Sequence, residues 1–422
     1  MKRLLARVPR IQFGEPKSGS VNANPVTTYY LIIVSALLLT IFGLVMGFSA
    51  SAVARIASEQ SPYVAFGRQL VIIAGSVVIA AVAHLLPQRW WYHLALPLFL
   101  LALVAQSLVL TPLGVNVGGN RNWIVLPLIG QAQPSEFLKL AIILALARIV
   151  AREGARIRDF KQMFVTAGIP IALGIGAVML GWDMGTAMVL AIACFGALWV
   201  AGLPGKWFVG LTLLSIPLLA FLVAKNPTRI RRVLSILPGN GVARDLSAPE
   251  QIDHAMWAFG SGGLMGVGPG ASREKWNYLQ EAHTDFILAI LGEEFGLLGT
   301  LTVLACLGML VWAMVRLAMS TSSAFVAVVT GGVATWIGVQ AIINIMSVTG
   351  IGPVVGVPLP LVSYGGSSFL FTAVAIGVVA GFARAEAGMW VFGAHRADGL
   401  APGYAIRKRS AERVSASRKV HL

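Results

Sequence analysis

The chain has 422 residues, 57% hydrophobic and 12% charged, with a mean hydropathy of +0.79 and a formal net charge of +15. A soluble domain averages about 25% charged residues, and no soluble fold of this length could bury so much apolar surface, so the composition describes a polytopic membrane protein. Only two cysteines occur, Cys194 and Cys306, both inside apolar runs, which excludes a disulfide framework or a cysteine metal site.

In chain order, a polar and basic tail over residues 1–28 carries Lys2, Arg3, Arg7, Arg10 and Lys17. The apolar run behind it is too long for the core of a signal peptide. Ser49-Ala50-Ser51-Ala52-Val53-Ala54, which mimics a cleavage site, therefore reads as the end of a first span. A membrane helix needs ~20 apolar residues. Ten runs qualify, at about 29–49, 67–87, 93–112, 135–151, 163–181, 185–203, 207–224, 286–315, 323–346 and 367–390. They read as helices because the alternation of a membrane barrel is absent. The predicted fold is all-α: one domain of ten transmembrane helices over 29–390, followed by a second basic tail at 391–422.

Lys and Arg in short flanks set orientation. Basic residues crowd the N-terminal tail, the connection after span four (Arg152, Arg156, Arg158, Lys161) and the C-terminal tail (Arg396, Arg407, Lys408, Arg409, Arg413, Arg418, Lys419). Ten spans put all three on the cytoplasmic side; nine would not. The net charge thus mostly reflects topology, with tails suited to anionic lipid headgroups. A nucleic-acid partner is not expected, because no basic stripe is interleaved with aromatics.

The outer connections hold the chemistry. The first, about 113–134, contains Gly118-Gly119-Asn120-Arg121-Asn122-Trp123 and leads into Pro134-Ser135-Glu136-Phe137-Leu138-Lys139. Pro134 suits a first helical turn, and Glu136 and Lys139 share a helix face and can pair. Asp183, between spans five and six, is an acidic N-cap by position. The long connection from 225 to 285 faces outward, yet carries Lys225, Arg229, Arg231, Arg232, Arg244, Arg273 and Lys275 among many glycines. Long loops cross membranes regardless of charge, but Arg and Lys beside Gly-rich backbone also hold phosphate. The last, 350–368, is apolar with three prolines in eight residues. It cannot be a continuous helix and reads as a re-entrant segment walling an outward-facing cavity.

A dense acidic cluster lies at the start of span eight. Asp285, Glu293 and Glu294 fall within ten residues of a chain holding 17 acids. Ionised groups near a bilayer are costly and by default functional. Glu293 and Glu294 read as structural partners of neighbouring spans. For Asp285, the competing structural reading is a cap on the helix that follows.

Together these residues resemble the SEDS family (shape, elongation, division and sporulation), and within it the FtsW-type division proteins. The matching stretches are Phe48-Ser49-Ala50-Ser51, Gly119-Asn120-Arg121-Asn122-Trp123, Pro134 through Lys139, Asp183-Met184-Gly185-Thr186-Ala187, Lys275-Trp276-Asn277-Tyr278-Leu279 into Glu281-Ala282-His283-Thr284-Asp285-Phe286, Gly292-Glu293-Glu294-Phe295-Gly296, and Pro358-Leu359-Pro360 through Ser363-Tyr364-Gly365-Gly366-Ser367-Ser368. The long polar N-terminus and the Lys275-Trp276-Asn277-Tyr278 wording resemble actinobacterial members. Trp182, Gln280 and His254 depart from the family, which usually has proline, proline and glutamine there.

The resemblance implies a glycosyltransferase that polymerises lipid II at the division septum, beside a class B penicillin-binding protein and other division proteins. It makes Asp285 the catalytic residue and places Glu136 and Lys139 in the site. Arg121, Asp183, Arg231, Arg232, Lys275, His283, Ser363 and Ser367 complete the expected substrate-binding set. The resemblance fixes no cofactor, though a divalent cation (Mg or Mn) could assist the pyrophosphate. The alternatives are a lipid II flippase or other transporter, an elongation-type (RodA-like) polymerase, and a non-catalytic scaffold for the transpeptidase.

Overall fold

The computed structural model describes residues 24–57, 61–117, 120–126, 130–224, 230, 251–276, 278–279 and 281–389. Arg231, Arg232 and most of both tails lie outside the described residues.

Each of the ten apolar runs coincides with a helix. These are α1 (Pro25–Ala57), α2 (Pro62–Leu85), α3 (Gln88–Ser107), α4 (Pro134–Glu153), α5 (Phe160–Met179, with a π-turn at Phe164–Gly168), α6 (Met184–Val200) and α7 (Gly205–Ala224). A short helix, α8 (Gln251–Gly262), precedes α9 (Ile287–Ser320), α10 (Ala324–Val348) and α11 (Gly366–Glu386). Among the described residues, seven helices are long and apolar enough to cross a membrane by length and composition: α1, α2, α3, α5, α9, α10 and α11.

The chain is not all-helical, which corrects the expectation for the loop at 113–134. Three short strands, β1 (Gly114–Val117), β2 (Asn120–Leu126) and β3 (Gly130–Ala132), form an antiparallel meander. The run Trp123-Ile124-Val125, which prefers a pleated surface, favours it.

α4 is the central strut. Leu138 and all residues from Leu140 to Ala147 are buried, against α3, α6, α10 and α11. Peripheral helices show apolar side chains outward instead; Val71 and Val78 of α2 are 72% and 62% exposed. That is the pattern of a helix facing lipid.

α9 is broken at Gly296 (φ 66, ψ −163). A break strands backbone groups that need partners. The turn after α8 supplies them: Val267 and Gly268 donate to the carbonyls of Glu293 and Glu294 (2.9 and 3.1 Å), and Leu297 donates to Gly263 O at 2.9 Å. Only glycine permits this approach, since a Cβ at Gly266 would lie 2.2 Å from Glu294 O. The first nine residues of α9, 287–295, are thus a separate, enclosed helical segment with Asp285 just before it.

Residues 351–365 form an irregular strap, as three prolines require. It lies along α10, and its backbone carbonyls are met by side chains of that helix.

Candidate active site

Asp285 sits in a tight turn over residues 281–286 that starts at Glu281, a non-glycine residue at φ 55. Such a conformation costs energy and marks sites held by their surroundings. The strap does the holding. Tyr364 N donates to His283 O (2.9 Å), and Ser363 Oγ donates to Thr284 O (2.6 Å) while accepting from Leu359 N (2.8 Å). Asn344 Nδ2 of α10 reaches both Asp285 O (2.7 Å) and Val357 O (2.8 Å). The Asp285 carboxylate faces Gly356 (φ +77), where an added Cβ would stand 3.5 Å from Oδ2. The N-cap of α9 falls at Phe286, not Asp285. His283 packs its ring edge-on against Tyr364 at 5.8 Å.

The second cluster is built on α4. Lys139 and Glu136 pair at 2.8 Å, each 2% exposed. Lys139 Nζ also donates to Gln340 Oε1 (2.9 Å) and lies over the Trp336 ring. Asp183 caps α6: it accepts from Thr186 N at 2.9 Å and Thr186 Oγ1 at 2.8 Å. It further accepts from Asn122 Nδ2 (2.6 Å) and Gln133 Nε2 (3.1 Å), tying β2 and the entry to α4 onto α6. Ser367 accepts from Gln133 N (3.1 Å). Trp182, just before Asp183, has φ 62. Proline, locked near −65°, could not adopt this conformation.

Lys275 corrects an expectation. Instead of standing open toward a phosphate, it is buried. Its three donors are spent on Glu294 Oε1 (2.7 Å), Gly270 O (2.7 Å) and Ser49 Oγ (2.9 Å). Ser49 in turn donates to Glu294. Glu293 accepts from Ser272 Oγ and from Arg273 N. The two glutamates therefore clamp the 270–276 loop onto α9 and α1. Removing one partner of a buried ion pair typically costs ~3–5 kcal/mol. Lys275→Met is accordingly expected to lower the thermal unfolding midpoint of the purified protein markedly; an unchanged midpoint would show that the clamp does not hold the loop.

Of the other expected residues, Ser363 and Ser367 spend the hydroxyl interactions just given on main chain. Arg121 is exposed on β2 and donates through Nη2 to Thr111 O at 2.8 Å. A crevice opens between α1, α2 and the strap, lined by Gly43, Gln69, Ile72, Ser363, Tyr364 and Phe369. Among the described residues, no three His, Cys, Asp or Glu side chains group so as to hold a metal ion. The sequence reading missed Gln340, Asn344 and Ser347. Their signal was polar residues at i, i+4 and i+7 on one face of an apolar span.

Comparison with known proteins agrees with this architecture. The family model described as FtsW/RodA/SpoVE cell cycle protein matches residues 29–387. A Burkholderia thailandensis protein named probable peptidoglycan glycosyltransferase FtsW is 37% identical over 366 residues, 83% of this chain and 77% of that one. Stage V sporulation protein E of Bacillus subtilis is 37% identical, over 84% of this chain and 96% of its own length. A solved structure described as structural coordination of polymerization and crosslinking by a peptidoglycan synthase complex superposes with a TM-score of 0.66 at 27% identity, covering 86% of this chain and 98% of that one. Thermus thermophilus RodA gives 0.61 at 27% identity, covering 84% and 95%. With the family match spanning nearly the whole helical region, the chain belongs to the FtsW/RodA/SpoVE cell cycle protein family.

Proposed function

We infer that this protein is a peptidoglycan glycosyltransferase that polymerises lipid II at the outer face of the cytoplasmic membrane during septal wall synthesis. The observation that carries the reading is Asp285: a carboxylate on a strained turn, pinned from two sides by the strap and α10, in a chain whose relatives are named for this activity. Within that reading the domain of ten spans covers 29–390, both tails are cytoplasmic, and the strap re-enters the membrane from outside.

The reaction joins the anomeric carbon of one lipid II to the 4-hydroxyl of a second sugar. Asp285 takes the hydroxyl proton as the C–O bond forms. The lipid pyrophosphate leaves with the electrons of the broken anomeric bond. The donor linkage is α and the product β, so one displacement with one base suffices. General-base help contributes about 10²–10⁴-fold. Charge developing on the pyrophosphate needs fixed cations or donors. Arg231 and Arg232 are proposed for that role, and Lys275 is not, because its ammonium is already spent. The crevice beside Ser363 and Tyr364, with Ile72 and Phe369 in its wall, suits the chain of a lipid-linked substrate. A class B penicillin-binding protein is the proposed partner, in keeping with the synthase complex that the fold resembles.

Orientation is testable directly. A cysteine placed at residue 240 is expected to react with a membrane-impermeant reagent on intact cells, and one at residue 410 is not. The reverse pattern would remove the case for chemistry outside. A flippase has no work to do in detergent, where there is no second compartment, so glycan made from lipid II by the purified protein separates polymerase from transporter.

A further inference from the structure

Gln340, Asn344 and Ser347 form a polar stripe at helical spacing on α10, and all three are buried. Each meets a carbonyl of the strap. Gln340 Nε2 donates to Pro358 O (2.9 Å), Asn344 Nδ2 to Val357 O (2.8 Å), and Ser347 Oγ to Pro353 O (2.9 Å). Two of the three also reach a candidate site residue. The same amide nitrogen of Asn344 holds Asp285 O, and Gln340 Oε1 accepts from Lys139 Nζ and from Trp336 Nε1. A chain of contacts therefore runs from Glu136 through Lys139, Gln340 and the Val357–Pro358 carbonyls to Asn344 and Asp285. Two carbonyls flank the Asn344 carboxamide, so its nitrogen must face them. Its Oδ1 is left buried without a donor, a cost that calls for an explanation.

We propose that Asn344, with Gln340 one turn before it, is a positioning residue that sets the main chain of Asp285 against the strap and couples it to the Glu136–Lys139 pair. The proposal rests on Asp285 being the general base. The hydrogen bond from Asn344 goes to the backbone carbonyl of Asp285, and its contribution is placement. Freeing the Asp285 carbonyl from the Val357 carbonyl lets the carboxylate shift relative to Gly356, and misplacement by ~1 Å can cost ~10²-fold in rate. Substrate binding is not expected to change, because no side chain meeting lipid II is removed.

The test is steady-state polymerisation of lipid II by the purified full chain. Asn344→Ala removes both contacts, and Asn344→Ser keeps a donor too short to hold both carbonyls. We expect kcat to fall about tenfold to a hundredfold in Asn344→Ala with KM nearly unchanged, the signature of lost transition-state alignment. Asn344→Ser should fall between it and the wild type. Wild-type kcat in Asn344→Ala would overturn the proposal. So would a loss that, in both variants, is accounted for entirely by a smaller folded fraction, which would assign Asn344 to stability alone. Asp285→Asn in the same assay separates the two levels. If it is active, the general-base reading fails and takes this proposal with it. If it is inactive while both Asn344 variants work normally, only the positioning role fails.

Discussion

Asp285→Asn is expected to lower glycan polymerisation by about two orders of magnitude or more, the usual scale for losing a general base, while the protein still inserts, folds and binds the proposed class B penicillin-binding protein. The substitution keeps the shape of the side chain and its capacity to accept a hydrogen bond, and removes only the proton acceptor. The main-chain contacts that fix the turn, from Asn344, Ser363 and Tyr364, go to backbone carbonyls of residues 283–285 and survive the change. Capping does not confuse the result. The N-cap of α9 is Phe286, and asparagine caps as well as aspartate in any case. Asp285→Glu should retain little activity, because the longer arm moves the oxygen toward Gly356 by more than ~1 Å. Lipid II binding should change far less than turnover, since the hydroxyl contact is a small part of a large amphipathic ligand. A folded Asp285→Asn protein with near-normal polymerisation would end the general-base account.

Lys139→Met is expected to have the largest effect on stability. The ammonium and the Glu136 carboxylate are both 2% exposed, in the strut around which α3, α6, α10 and α11 pack. Methionine restores the bulk but leaves Glu136 charged and buried, and it withdraws the donor that holds Gln340. Breaking a buried pair from one side costs ~3–5 kcal/mol. Replacing both partners, as in Glu136→Gln with Lys139→Met, should recover much of that loss, because no uncompensated charge remains. Thermal unfolding of the purified variants in detergent checks both statements. Equal midpoints for wild type and Lys139→Met would show that the pair carries no stability.

The helices were legible because twenty-residue apolar runs have few alternatives in a bilayer. The run at 185–203 became Met184–Val200, and that at 163–181 falls within Phe160–Met179 except for its last two residues. The i,i+3 spacing of Glu136 and Lys139 and the position of Asp183 before an apolar run announced their local roles, and the structure places both accordingly. What stayed hidden depends on partners distant in sequence. Lys275 reads as one more loop cation until Glu294 and Ser49 are seen around it. The apolar run at 286–315 conceals a break, since Gly296 is an ordinary glycine until the 263–268 turn docks on it. The meander at 114–132 was read as plain loop because the span pattern dominated its surroundings. Asn344 and Gln340 sit on a visibly polar stripe, but what they hold is the strap, and nothing in a linear reading brings the strap to α10.

The most direct measurement is polymerisation of lipid II by the purified full chain in detergent, alone and with candidate class B penicillin-binding proteins, with muramidase digestion of the product. The account predicts glycan strands that the muramidase cleaves, formed in at least one of these mixtures and lost when Asp285 is replaced by asparagine. Lipid II left unconsumed in every mixture by folded protein, or consumed equally well by the Asp285→Asn variant, would contradict it.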